Sequence, residues 1–236
     1  MYNSGASEST TGPAAAVPTA ILADADEFQD ALAASSLASG LKIPVLLNAG
    51  GQGLDTGAAA ALTNLGVKQV YVVGGSAAVS DQAVKDLQGA GIAVLRIAGT
   101  TFDQTANLLA QFEVNNAAAG GTVAVPAAIT GLNLGGPTFA VGTSRGDAYQ
   151  DALASAQILG GAGTVSPLLL NTNTSTASTG ATSFLTGHGT MGGFSVYNPT
   201  TGAATTEMIN GDTVFGGTLA QTPALVQGEL NSIAGA

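Results

Sequence analysis

The chain has 236 residues, enough for one large domain or two small ones, and a 45% hydrophobic content sets it apart from a disordered tail despite 34 glycines. Only 8% of residues are charged, and the formal net charge of −10 comes from 15 acids set against Lys42, Lys68, Lys85, Arg96 and Arg145. Five scattered bases argue against nucleic acid as a partner, and the absence of cysteine excludes disulfides and thiolate metal sites.

With so little charge, the surface must be covered by Thr, Ser, Asn, Gln and Gly, a skin more typical of exported proteins than of cytosolic enzymes. No apolar run reaches the roughly 18 residues that a membrane helix needs. Residues 1–18 read as a flexible leader or linker, without the basic and apolar regions of a signal peptide, so an exported protein would be met here in processed or trimmed form.

From there, apolar runs alternate with helical patterns. The expected elements are a strand at Thr19–Ala23, a helix at Phe28–Leu41, a strand at Ile43–Leu47 and a helix at Ala58–Leu65. A strand at Gln69–Val73, a helix at Ser80–Leu87, a strand at Ala93–Ile97 and a helix at Phe102–Phe112 follow. Short continuous apolar strands separated by helices imply parallel sheets buried on both faces, an α/β class. Between residues 114 and 137 a Gly-rich apolar segment has no counterpart upstream and reads as an insertion with a hairpin around Thr122–Val125.

The chain also repeats itself. Asp26-Glu27-Phe28-Gln29-Asp30-Ala31-Leu32 returns as Asp147-Ala148-Tyr149-Gln150-Asp151-Ala152-Leu153, and Pro44-Val45-Leu46-Leu47-Asn48 returns as Pro167-Leu168-Leu169-Leu170-Asn171. Val72-Val73-Gly74-Gly75-Ser76 is echoed more faintly by Val214-Phe215-Gly216-Gly217-Thr218. An alternative register pairs Phe194–Asn198 with Gln69–Val73. The division expected is a leader at 1–18, a first repeat at 19–98 and a second, degenerate repeat at 99–236 with insertions near 114–137 and 190–212.

Each motif has a plain and a sharper reading. Gly74-Gly75-Ser76 can be a strand-to-helix turn that needs glycine, with Ser80 capping the next helix, or an anion site at that helix start. Asp26 or Asp147 can cap a helix, and Asp30 or Asp151 can meet its dipole in the first turn. These acids can instead lie at the carboxyl edge of a sheet, where open α/β folds keep their ligand crevices, and orient a glycan hydroxyl or a cation there. Catalysis has little to work with. His188 is the only histidine, in a glycine-flanked turn, and no nucleophile elbow, Walker or dinucleotide pattern occurs, so neither a metal nor a cofactor is expected.

Taken in order, Asp30-Ala31-Leu32-Ala33, Pro44-Val45-Leu46-Leu47, the run from Val70 to Ser80 (VYVVGGSAAVS) and Arg96-Ile97-Ala98-Gly99 with Thr105-Ala106 resemble the cell wall-binding repeat type 2 family. Thr101, Phe102 and Asp103 stand where that family usually has an Asp/Asn-Arg-Tyr segment. The family's units are α/β repeats with parallel sheets in a pseudo-symmetric arrangement, usually in threes. They attach exported proteins non-covalently to anionic wall polymers. The resemblance thus implies a non-enzymatic surface anchor whose partner is a cell-wall glycopolymer, located outside the cell at the wall or surface. Expected ligand contacts are Asp26, Asp30, Gly74, Gly75, Ser76 and Ser80, with Asp147, Asp151, Gly216 and Gly217 in the second copy. The alternative is a structural surface or virion protein that self-assembles into homo-oligomers without binding a polymer.

Overall fold

The computed structural model describes residues 17–49, 52–115, 138–147, 149–160, 166–188, 194–197, 204–217 and 221–234. Most of the expected leader and the hairpin around Thr122–Val125 lie outside the described residues.

The first sheet has four parallel strands, β1 (Thr19–Asp24), β2 (Val45–Asn48), β3 (Gln69–Val73) and β4 (Ala93–Ile97), in the order β2-β1-β3-β4. The helices of this half are α1 (Gln29–Ala33), α2 (Ser35–Leu41), α3 (Thr56–Asn64), α4 (Asp81–Gly89) and α5 (Phe102–Asn115). Side chains alternate across a strand, so each apolar run feeds two cores at once. Ile21, Tyr71, Val73, Leu95 and Ile97 join residues of α1, α2 and α5 on one face. Ala20, Leu22, Val70 and Val72 meet those of α3 and α4 on the other. The helix expected over Phe28–Leu41 is divided in two. A tightened turn at Ala34, whose N–H is shared between the carbonyls of Asp30 and Leu32, separates α1 from α2.

The second sheet contains β5 (Thr138–Arg145), β6 (Leu168–Asn171), β7 (Phe194–Tyr197) and β8 (Ala204–Val214) in the order β6-β5-β8-β7. Three of its strands are parallel, but β7 runs antiparallel to β8 at the edge. Its helices are α6 (Tyr149–Leu159), α7 (Thr179–His188) and α8 (Pro223–Ala234). With β5 in the place of β1 and β6 in that of β2, β8 occupies the place of β3 and leads into Gly216-Gly217. The Phe194–Tyr197 segment is thus an outer strand, not the equivalent of Gln69–Val73. The ladder between β5 and β8 skips one residue between Ile209 and Gly211, a bulge absent from the first sheet.

Single hydrogen bonds repeat between the halves. The N–H groups of Ile21 and Gly142 donate to the carbonyls of Pro44 and Pro167 at 2.9 and 2.8 Å, and those of Ala25 and Gly146 to Asn48 and Asn171 at 3.1 and 2.9 Å. Asn48 and Asn171, both fully buried, end their strands and accept from the backbone N–H seven residues on: Asp55 at 2.8 Å and Ser178 at 2.9 Å. In the first half Asp55 then caps α3, its carboxylate accepting from the N–H groups of Gly57 and Ala58.

The halves share one interior. Ala152, Leu159, Leu168 and Leu170 belong to the same apolar cluster as Leu37, Tyr71, Leu109 and Phe112. Tyr71 and Phe112 meet edge to face at 5.1 Å, and Phe28 meets Tyr149 the same way at 5.7 Å. Helix α5 lies against β6 and α7, while α2 packs on α6. Where α5 meets α7, the Gly180 N–H donates to the Asp103 carboxylate at 3.0 Å, and a Cβ on Gly180 would overlap the Asp103 backbone carbonyl.

Two outcomes follow. Gly180→Ala forces α7 away from α5 and should cost about 1–3 kcal/mol, the usual penalty of overpacking, read as a lower urea midpoint at unchanged slope. Asn48→Ala strips the Asp55 N–H and the Gly53 carbonyl of their partner and should lower stability by about 1–2 kcal/mol in the same titration, the cost of leaving part-buried polar groups unpaired.

Candidate functional site

In an open sheet, the loops leaving two neighbouring strands in opposite directions part at the carboxyl edge and leave a crevice. In the first sheet the chain leaves β1 toward β2 on one side and β3 toward β4 on the other, so the crevice opens between β1 and β3. A cleft of about 630 Å³ lies there, walled by Asp24, Glu27, Gln29 and Asp30 from the β1–α1 segment, by Gly75 to Ala78 after β3, and by Gly99 to Phe102 with Thr105 after β4.

Glycine at position 74 is what lets the loop approach the acid. Its φ of 114° is one that L side chains avoid, and a Cβ there would stand 2.5 Å from a carboxylate oxygen of Asp30. Gly216 repeats the conformation with φ 120°, and the N–H groups of Val79 and Gln221 close the two loops on the carbonyls of Gly75 and Gly217 at 2.9 and 3.0 Å. Arg96 fastens the first loop from beneath, its guanidinium donating to the carbonyls of Gly74 and Val79, both at 2.8 Å, and reaching Asp81 at 3.3 Å. Burial lowers its pKa from the ordinary value, with Asp81 opposing that shift.

Asp30 is a partly buried carboxyl in the wall of the cleft. One of its oxygens is buried without a hydrogen-bond partner. Burial raises its pKa above the ordinary value, the Thr105 hydroxyl draws it back in part, and the charges of Asp24 and Glu27 raise it further. Asp24, at the end of β1, accepts from the Asp26 N–H at 3.1 Å, and Thr105 accepts from the Gly99 N–H at 3.0 Å. The lining therefore offers carboxylates, hydroxyls and an amide, with no lysine, arginine or histidine among them. Such a set accepts hydrogen bonds from sugar hydroxyls or takes a cation; a bare anion would meet three acids.

Of the residues expected to touch a ligand, Asp30, Gly75 and Ser76 line this cleft and Gly74 backs it. Asp26 does not cap α1: the N-cap position falls on Phe28, which makes no side-chain cap, and Asp26 is an exposed residue beside the cleft. Ser80 faces away from the cleft as the cap of α4, accepting from the Ala83 N–H at 3.1 Å. In the second half the position of Asp24 is held by Arg145, whose guanidinium is paired with Asp147. Asp151 sits in the first turn of α6, and Gly216 and Gly217 are exposed after β8. The side chain of His188 lies outside the described residues. Asp24, Glu27, Gln29 and the Thr100–Thr105 wall were not anticipated. Asp24 was within reach, being the last residue of a strand at the crevice, but the β4 loop joins the site only once the strand order is known.

Among curated proteins none matches the sequence. Solved structures do. Cwp6 from Clostridium difficile aligns with a TM-score of 0.65 at 18% identity, over 92% of this chain and 28% of that one. Cwp8 from Clostridium difficile aligns with a TM-score of 0.59 at 19% identity, over 92% and 29%. At such identities the likeness shows the fold, and the chain spans less than a third of the length of those two proteins. The motifs read from the sequence find their counterpart in the family comparison: residues 4–84 match Cell wall binding domain 2 (CWB2), on a fold shared with these cell wall proteins.

Proposed function

We propose that the chain is a non-enzymatic module that holds an exported protein at the cell wall or surface by binding a wall glycopolymer non-covalently, and that the polymer enters the cleft between β1 and β3. The observation that carries this reading is the lining of that cleft, where Asp24, Glu27, Asp30, Ser76, Thr100, Thr101 and Thr105 face a common space in a chain matched by a cell wall binding family. Carboxylates accept from sugar hydroxyls and the threonines both donate and accept, a pairing suited to polyols. An anionic polymer would be held there through a bridging cation, since no base stands in the wall.

In this reading residues 19–98 form the binding repeat and 99–236 a divergent second repeat that supports it. The second edge contributes less, because Arg145 already neutralises Asp147. Asp26, Ser80, Asp147, Asp151, Gly216 and Gly217 are assigned supporting positions around the two edges rather than direct contacts.

A structural, self-assembling surface protein is the second reading. It is favoured by Leu47, 52% exposed on the outer strand β2, whereas its counterpart Leu170 is fully buried. Light scattering that rises with protein concentration, in a protein that leaves isolated walls untouched, selects that reading.

The direct test is co-sedimentation with isolated cell walls. The wild-type protein should pellet with the walls and be released by free wall polymer, and release by chelator identifies a bridging cation. The Asp24→Asn, Asp30→Asn double variant should bind on the order of 10–100-fold more weakly, since each asparagine keeps a hydrogen bond but a neutral one contributes about 1 kcal/mol less than one to a charged group. Asp151→Asn should bind as wild type does. Equal binding by the double variant would remove the cleft from the reading, and no pelleting of wild type would remove the anchor itself.

A further inference from the structure

The two halves share the loop and helix that follow their third parallel strand, yet the interior beneath that helix is of opposite character. In the first half Leu22 and Val70 on the sheet meet Val79 and Leu87 from the loop and α4, all fully buried in one apolar cluster. The pairings Leu22↔Val72 and Thr143↔Val214 put Thr143 in the place of Leu22, and Ala20↔Val70 and Val141↔Asp212 put Asp212 in that of Val70. The matching loop bonds put Gln221 at Val79, and the same spacing puts Glu229 at Leu87. Four apolar side chains in one half have become Thr143, Asp212, Gln221 and Glu229 in the other.

This strip is organised. Glu229, fully buried on α8, accepts from the Asn171 amide at 2.8 Å and from the Thr143 hydroxyl at 3.2 Å. Gln221 donates to the carbonyls of Thr143 at 2.9 Å and Phe215 at 3.1 Å and accepts from Asn171 at 3.1 Å. Asp212 is the exception: both its carboxylate oxygens are buried without a hydrogen-bond partner.

We propose that this strip is a proton-operated latch, in which α8 stays seated on the second sheet while Glu229 or Asp212 is protonated and loosens when both are ionised. Two carboxylates charged together where their oxygens are buried repel each other and lose hydration, and the amides and hydroxyl beside them neutralise neither. The groups facing the seam are Glu229 from α8, Asp212 from β8, Thr143 from β5, Asn171 from β6 and Gln221 from the loop before α8. Arg145, the base at the end of β5, is committed to Asp147. Helix α7, packed along α8, has no Asp, Glu, Lys or Arg and ends at His188, its one titratable residue.

The direction of the effect follows from where the protons are held. Burial lifts Asp212 to about 6, with Thr143 opposing, and Glu229 to about 7, with Asn171 and Thr143 opposing and Asp212 adding to the rise. A carboxyl that keeps its proton longer when folded stabilises the fold fully below its ordinary value, here 3.8 and 4.5, and loses that contribution as pH climbs through its native value. The latch is therefore tightest below about pH 4 and weakens progressively until about pH 7, where both carboxyls have ionised.

Hydrogen exchange of the wild-type chain tests this, with each rate divided by the intrinsic chemical rate at that pH. Between pH 5 and 8 protection of the α8 amides should fall on the order of tenfold or more, while those of α4, whose seam holds Leu87, should change little. Glu229→Gln, which mimics the protonated acid and cannot ionise, should flatten the α8 profile by at least half of that change on a logarithmic scale. A flat α8 profile in wild type, or parallel slopes in α8 and α4, would overturn the latch without reference to any variant. An unaltered slope in a folded Glu229→Gln protein would overturn it as well.

Discussion

Parallel strands have two apolar faces and need cover on both, and in this chain the first half supplies part of the cover for the second. Helix α5, which follows β4, packs on the first sheet through Phe112 and Tyr71 and also reaches β6 and α7, and α2 lies against α6. As a result Leu168, Leu169 and Leu170 are almost fully buried although β6 is an outer strand, whereas β2, at the same place in the first sheet, keeps Leu47 half exposed. The apolar cluster that runs through both halves leaves little room for them to move apart. The cleft depends on this arrangement, since Thr100, Thr101, Phe102 and Thr105 are held at its rim by the same helix start that docks against the second half at Asp103 and Gly180.

The sequence made the first half readable because nearly every signal in it agreed. Ile43–Leu47 and Gln69–Val73 are continuous apolar runs, Ser80 is a cap in sequence and in structure, and the glycine at 74 has a steric reason that Asp30 supplies. Helix α1 was less legible: the eye finds Asp26 as a cap, but the chain turns two residues later at Phe28, which makes no cap at all. In the second half the polar run around β8 hid a strand. Asp212 stands where a valine would announce a buried strand, and the bulge after Ile209 shifts the alternation by one residue.

The site was half legible for a related reason. Local motifs point to a turn or a helix start, and Gly75, Ser76 and Asp30 were found that way. The wall contributed after β4 belongs to the same cleft only because β4 lies beside β3, and strand order is a long-range property that no short motif carries. Thr101 and Phe102 therefore passed for family departures when they are lining residues.

The amides of Asn48 and Asn171 have a wider meaning. Each pins a strand end to the next helix through directional bonds that do not care whether the neighbouring interior is greasy or polar. A duplicated unit so pinned can rewrite its inside, as the exchange of Leu87 for Glu229 shows, and still thread its chain along the original course. The same bracket thus stands over an apolar interior in one half and a partly polar one in the other.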